Sequence, residues 1–142
     1  MRKLIFILTA LLFISNVYSQ DVITREMSAL IKKGNKVFLE MDKESITGEY
    51  LTKEFNKWRY WTVVEDVQDA QFIIAIHIKA PEKNNAYGMF AEAFAEFKTL
   101  ENQIFITSKT YSHSAAMING FNAFKGAAMK LMSKYFKKEF KK

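Results

Sequence analysis

The two histidines are the residues of this chain best suited to catalysis or metal binding. His77 and His113 are its only histidines, and near neutral pH an imidazole can serve as a general base or a metal ligand. Neither lies in a His-x-Glu, His-Glu-x-x-His or His-x-x-x-His pattern, so the spacing typical of metal ligands is missing. Two serines flank His113, but neither lies in the Gly-x-Ser-x-Gly turn of a nucleophilic serine. We would accept a small hydrolase only if one of these histidines met an acid in a pocket.

The sequence also lacks the residue patterns of paired catalytic carboxylates, phosphate-binding loops and cysteine sites. Glu65 and Asp66 are typical of a turn, and Glu92 and Glu96 fall on the solvent side of a regular element. The five glycines never form a phosphate-binding loop. Without a cysteine the chain can form no disulfide, no thiolate metal site and no lipid attachment. We therefore predict a protein that is not an enzyme, with no catalytic residues, no metal and no cofactor.

The N-terminus has the pattern of a secretory signal peptide. Arg2 and Lys3 precede the apolar run 4–14, and Val17 and Ser19 place an apolar and a small residue at a cleavage site. A retained membrane anchor would need about 20 apolar residues, and this run is shorter. We predict that residues 1–19 are a cleaved signal peptide and that residues 20–142 form a single domain, periplasmic or secreted from a bacterium.

The basic charge is concentrated at the C-terminus. The 142-residue chain has 21 Lys and Arg against 15 Asp and Glu. Many of the lysines lie close to its end: Lys130, Lys134, Lys137, Lys138, Lys141 and Lys142. They form either a solvated helix end or a surface for anionic lipid headgroups, for which Lys134, Lys137 and Lys138 are the candidates. Phe136 and Phe140 fall off the main apolar stripe of the predicted helix and keep the second interpretation open. Nucleic acid is not expected, because exported proteins seldom meet it.

The first half of the domain predicts alternating strands and one helix. Residues 36–41 and 60–64 are β-prone, and apolar spacing over 46–58 predicts a helix with Ser45 or Thr47 as N-cap. The clearest strand begins at Phe72, with both faces apolar until His77. This pattern predicts a central strand whose far end reaches water. Pro81 ends it, and a polar loop is predicted over 82–86.

Residues 87–98 fit either a helix or a strand. A helix would bury Phe90 and Phe94 in the core, whereas a strand would place them beside Glu92 and Glu96 on one face. We favour a strand, because residues 100–102 suit a hairpin that gives the predicted strand 103–111 a partner. Phe90 and Phe94 would then lie on the face of the sheet away from the helices and form a docking patch.

A long amphipathic helix is predicted to close the chain, from about 114 to 138. Ser114 is its expected N-cap, and its apolar stripe is Met117, Phe121, Phe124, Ala128, Leu131 and Tyr135. The order of elements predicts an α+β two-layer sandwich with a mostly antiparallel sheet and helices on one face.

Three stretches of the sequence resemble small periplasmic domains. The first is 61–64 together with 69–76, which contains Asp69-Ala70-Gln71-Phe72-Ile73. The second is the hairpin strand through Ile104, and the third is the closing helix. In order and character they resemble the N-terminal domain of TolB and related accessory modules, over about residues 36–138. The resemblance implies an interaction module rather than an enzyme, and it transfers no functional residue. The propeller repeats that follow this domain in TolB are absent here.

These observations predict an accessory or adaptor module that binds an envelope protein through a sheet edge or the helix-free face. The alternative is a carrier of a small apolar ligand in a pocket between sheet and helices, lined by Phe and Met side chains. The sequence predicts nothing about the oligomeric state.

Overall fold

The structure is a computed structural model that describes residues 25–80, 90–115 and 122–141. The chain divides into two compact units, residues 1–32 and 33–142. In the first unit the described residues form a helix over 25–30. The predicted signal peptide 1–19 and loop 82–86 lie outside the described residues. All elements described below belong to the second unit.

A six-stranded mixed sheet forms the second unit's centre. The strands are β1 (Lys36–Glu40), β2 (Thr62–Val64), β3 (Phe72–Lys79), β4 (Phe90–Lys98), β5 (Ile104–Thr107) and β6 (Tyr111–Ser114). Their order is β2-β1-β3-β4-β5, and β6 also pairs with β4. The predicted α+β class is confirmed. The sheet is mixed because β1 runs parallel to both β2 and β3, whereas the other pairs are antiparallel.

Helix α1 (Ile46–Trp58) connects β1 to β2 and has the predicted bounds. At its start the Gly48 N–H donates to Ser45 Oγ at 3.0 Å, so Ser45 is the N-cap. At its end Arg59 adopts a left-handed conformation with φ 55°. A helix between neighbouring strands returns the chain to the same end of the sheet, which makes β1 and β2 parallel.

The alternation predicted for residues 72–79 and 87–98 is confirmed where the structure describes it. β3 lies between β1 and β4, is buried from Phe72 to Ile76, and becomes more exposed from His77 onward. In β4 the odd-numbered residues from Ala91 to Phe97 are buried, and the even-numbered ones are more exposed. Residues 90–98 are therefore a strand rather than a helix, and residues 87–89 lie outside the described residues.

The strand predicted over 103–111 is two strands separated by a bulge at Ser108. The Ser108 N–H donates to the Ala95 carbonyl at 2.8 Å, and the Ala95 N–H donates to Ser108 Oγ at 2.9 Å. The Ser108 hydroxyl thus takes the place of a backbone carbonyl as the acceptor for Ala95. Both β5 and β6 pair with β4, and their registers against it differ by one residue. No local pattern indicates this bulge, because serine is compatible with a continuous strand.

The closing helix begins later than predicted. Ser114 ends β6 and is not a helix cap, and His113 lies on this strand rather than in a helix entry turn. Helix α2 (Ala123–Lys130) begins after Asn122, whose Oδ1 accepts the Phe124 N–H at 2.9 Å. It continues as a π-helical segment, Leu131–Phe136, and a last turn, Lys137–Glu139. Residues 116–121, including Met117 and Phe121 of the predicted stripe, lie outside the described residues.

The π-helical segment changes which aromatic ring enters the core. Its wider turn rotates the following residues relative to an α-helix, so Phe136 is fully buried and Tyr135 only partly. Phe140 packs on Trp61 at 4.8 Å between ring centroids. Phe136, which was expected off the apolar stripe, is therefore part of the core, and Phe140 is half-buried against the same rings.

Candidate functional site

The face of the sheet opposite the helices is the first candidate surface, called the open face below. On β4 it carries Phe90, Glu92, Phe94, Glu96 and Lys98, with His77 of β3 and Glu40 of β1 in register beside them. Phe90 is 43% exposed, whereas Phe94 is half-buried. The structure therefore brings the two predicted docking residues to one face, beside Glu92 and Glu96 as expected for a strand.

His77 meets an acid on this open face. His77 Nε2 lies 3.0 Å from Glu96 Oε2, and the imidazole stacks on the Phe94 ring at 4.6 Å between centroids. His77 lines neither of the two cavities described below. The hydrogen bond to Glu96 fixes the imidazole that stacks on the Phe94 ring.

A second ion pair crosses the open face over the central strand. Lys98 Nζ lies 2.9 Å from Glu40 Oε2, although Lys98 belongs to β4 and Glu40 to β1. Exposed ion pairs of this kind contribute about 0.2–1 kcal/mol. Their larger effect here is on binding: Lys98 and Glu40, like His77 and Glu96, are already paired with each other, so Phe90 and Phe94 are the main apolar groups that β4 presents on this face.

A cleft on the helix-covered side is the second candidate site. Its volume is about 390 Å³. It lies where β1 and β3 end and both helices begin, and its lining residues are Met41, Asp42, Ser45, Ile46, Thr47, Gly48, Leu51, Ile76, Ile78, Asn122 and Phe124. This volume is within the range of small-molecule sites, about 300–1,000 Å³. The cleft has the location predicted for an apolar ligand, but its walls are mainly aliphatic and include one phenylalanine and one methionine.

The polar groups of this cleft come from the helix starts. Ser45 and Asn122 are both N-caps, each with its side-chain oxygen accepting a helix N–H. Thr47 is only 7% exposed, yet among the described residues its hydroxyl has no hydrogen bond. Asp42 is the charged residue of the lining, and its Oδ1 accepts the Glu44 N–H at 3.2 Å.

A smaller cavity of about 270 Å³ adjoins His113. Its lining includes Tyr50, Gly126, Met129, Lys130 and Ser133, with no acid among them. The Lys130 ammonium donates to the Ser112 carbonyl at 2.7 Å across its rim.

The three lysines predicted for an anionic surface have different environments. Lys137 Nζ lies 2.7 Å from Glu54 Oε2, whereas Lys134 and Lys138 are exposed. The hydrogen bond and positive charge of Lys137 hold the pKa of Glu54 below its usual range, although partial burial opposes this shift. Since Lys137 is paired and both nearby phenylalanines are packed inward, the lysines alone remain as the basis for contact with an anionic surface.

The described residues contain neither a cluster of metal ligands nor a membrane-spanning helix. Within 25–80, 90–115 and 122–141, no three side chains of His, Asp or Glu come together as a metal site would require. Over the same ranges, no helix has both the length and the apolar character of a membrane-spanning segment.

Comparisons with known proteins give only distant similarities. No protein-family model matches the chain, and no curated protein matches its sequence. A PelC dodecamer from Paraburkholderia phytofirmans is similar with a TM-score of 0.48 and 12% identity, covering 72% of this chain and 89% of that one. An uncharacterised lipoprotein B from Nitrosomonas europaea has a TM-score of 0.38 and 11% identity, covering 77% and 76%. Neither is the N-terminal domain of TolB, so that resemblance stays a prediction.

Proposed function

We propose that this protein is an exported, non-catalytic module of the bacterial envelope that binds a protein partner through its open face. One observation carries the proposal: residues 90–98 form a strand, which places Phe90 and Phe94 on the face that the helices leave uncovered. The export step rests on the N-terminal pattern Arg2, Lys3 and the apolar run 4–14.

The chemistry of the open face favours a partner with an apolar patch inside a polar rim. Aromatic side chains provide much of the binding energy at protein interfaces, and surrounding polar groups exclude water. Phe90 and Phe94 are the aromatic anchors here, while the His77–Glu96 and Lys98–Glu40 pairs hold the neighbouring polar groups in place. Because the charged groups of each pair are already next to each other, a partner does not need to bring an opposite charge to either pair.

Photocrosslinking in living cells tests this proposal. A photoreactive amino acid at Glu92 on β4 should form a defined protein adduct, and the same group at the exposed Lys53 on α1 should not. Replacing both Phe90 and Phe94 by Ser should lower the adduct at least tenfold. The matched control is Met129→Ser, which removes a side chain of similar exposure, 40%, from α2. An adduct unchanged by the double replacement would refute the proposal.

The cleft favours a second candidate function, a carrier of a small apolar ligand. Its apolar walls and its volume of about 390 Å³ support this function. Native mass spectrometry of protein purified gently from its own cells separates the two candidates. An excess of a few hundred daltons would support the carrier, and a protein-sized excess would support the adaptor.

A further inference from the structure

We infer that the cleft at the start of the two helices binds an uncharged, mainly aliphatic small molecule with a single hydroxyl or carbonyl group. This inference rests on the second candidate function, the carrier, and names its class of ligand. It concerns the cleft alone and does not depend on the open face.

The cleft walls select for an aliphatic ligand. Leu51 and Ile76 are buried at its base, and Ile78 is half-buried beside them. Ile46, by contrast, is 68% exposed although it lines the same cleft. Burial of apolar surface provides about 25 cal/mol per Å², and a ligand in the cleft would cover this isoleucine. At about 30 Å³ for each non-hydrogen atom, the share of one water molecule, the cleft holds roughly a dozen such atoms.

One polar contact in the cleft is without a protein partner. The Thr47 side chain is more than nine-tenths buried, lines the cleft, and has no hydrogen bond within the described residues. The Thr47 hydroxyl is not fully enclosed, since Thr52 Oγ1 is the buried side-chain oxygen without a partner among the described residues, so a ligand hydroxyl or carbonyl in the cleft would replace water as the partner of Thr47. Thr47 also lies in the first turn of α1, a helix of 13 residues, where the N–H groups and the helix dipole favour an acceptor.

The charge of the cleft argues against an anionic ligand. The charged side chain among its described lining residues is Asp42, and no lysine, arginine or histidine lines it with Asp42. Glu49 adds a second carboxylate in the first turn of α1. A ligand carboxylate would meet this negative charge without a cation to pair with, whereas a neutral head group would not.

A pair of ligands that differ only in the head group tests the inference. The protein, purified from cells that express the full chain, is titrated with 1-octanol and with octanoate at pH 7, and methyl NMR signals are followed. We expect 1-octanol to shift the signals of Ile76, Ile78 and Leu51 and to bind at least tenfold more tightly than octanoate. Thr47→Val should weaken 1-octanol binding about fivefold, the equivalent of about one hydrogen bond. Thr52→Val, on the same helix outside the cleft lining, should leave it unchanged.

Each other outcome overturns a defined part of the inference. Tighter binding of octanoate would refute the neutral ligand class and leave the carrier function standing. Equal affinity of 1-octanol for the native protein and Thr47→Val would refute the role of Thr47. No shift with either compound would refute the inference and, at this cleft, the carrier function, while the adaptor proposal would still be judged by its own crosslinking result.

Discussion

The two ends of the helix-covered side of the sheet are filled very differently. At one end, aromatic rings from α1, the residue before β2, β3, β4 and the π-helical segment pack together: Trp58, Trp61, Phe72, Phe97 and Phe136, called the aromatic end below. Phe136 lies 4.8 Å from Phe55 between ring centroids. At the other end, aliphatic side chains and two helix starts surround the cleft. We infer that the closely packed aromatic end provides most of the stability of this layer, so the cleft end can stay loosely packed.

The protonation of Tyr135 supports this view of the aromatic end. Burial, with the nearby Glu139 and Tyr111 acting in the same direction, raises the pKa of Tyr135 to about 12. This shift reflects the apolar surroundings of the phenol, which at its ordinary pKa of 10.0 would already be neutral at physiological pH.

The largest effect is expected from truncation at the aromatic end. Phe136→Ala should lower the free energy of unfolding by about 4 kcal/mol, because it removes a fully buried ring and leaves a cavity. Ile78→Ala in the cleft should cost less than about 2 kcal/mol, since this side chain is only half-buried. Urea unfolding followed by tryptophan fluorescence measures both losses. Equal losses would show that the cleft end is as tightly packed as the aromatic end.

The glycines of the two helices should differ in their response to alanine. A methyl group at Gly48 would overlap the backbone carbonyl oxygen of Asp42, so Gly48→Ala should destabilise the protein by about 2 kcal/mol. At Gly126 the methyl group would overlap a side chain rather than backbone, and a change of rotamer at His113 would be needed to make room. The gain in helix propensity, about 1 kcal/mol, should then leave Gly126→Ala within about 1 kcal/mol of the native protein. Thermal unfolding compares the two variants, and a larger loss at Gly126 would contradict the rigid cleft wall.

A hydroxyl in the middle of α1 should be dispensable for stability. Thr52 Oγ1 is buried without a hydrogen-bond partner, so Thr52→Val should stabilise the protein by about 1 kcal/mol. Thr47→Val should change stability by less than about 0.5 kcal/mol, because the cleft gives that hydroxyl access to water. Chemical denaturation of both variants is the measurement. A gain at Thr47 as large as that at Thr52 would mean that water does not reach Thr47.

The smallest effect is expected from the ion pair on the outside of the helical layer. Lys137→Met should cost at most about 1 kcal/mol at pH 7, because Lys137 is largely exposed. The pKa of Glu54 is lowered from 4.5 in the folded state, chiefly by its hydrogen bond to Lys137. The stabilisation by the pair is therefore complete well above pH 4.5 and is lost as the pH falls through the folded pKa. The unfolding free energies of native and variant protein should converge in acid, and a gap that persists at pH 2 would contradict this assignment.

Local sequence patterns predicted much of the fold correctly. The predictions that failed concern features set by contacts between distant segments or by an irregular helical turn. The helix over 46–58 has its cap, periodicity and length in contiguous residues, and the alternation after Phe72 requires only neighbouring positions. The bulge at Ser108, the late start of α2 and the parallel pairing of β1 depend on which strand lies next to which. The reversed positions of Tyr135 and Phe136 come from the π-helical turn, which the regular 4, 3, 4 spacing of the predicted stripe did not indicate.

The candidate sites show the same distinction. Phe90 and Phe94 were named from their alternation with Glu92 and Glu96, and the strand places them together. The pairing of Lys98 with Glu40 and of Lys137 with Glu54 joins residues far apart in the sequence, so spacing could not indicate it. The sequence indicates Thr47 only as a possible helix cap. Its place in the cleft depends on the distant segments that form the other walls.

The sequence by itself determined the α+β class, the helix over 46–58 and the alternating strands, since these depend on propensity and on periods of 3.6 and 2 residues. It also predicts export from the pattern at its N-terminus. The tertiary structure alone decided that α1 and α2 pack on the same face of the sheet, that the aromatic rings gather at one end of that face, and that a cleft lies at the other. These features arise from packing between distant segments, where volume and register, rather than the identity of neighbouring residues, set the contacts.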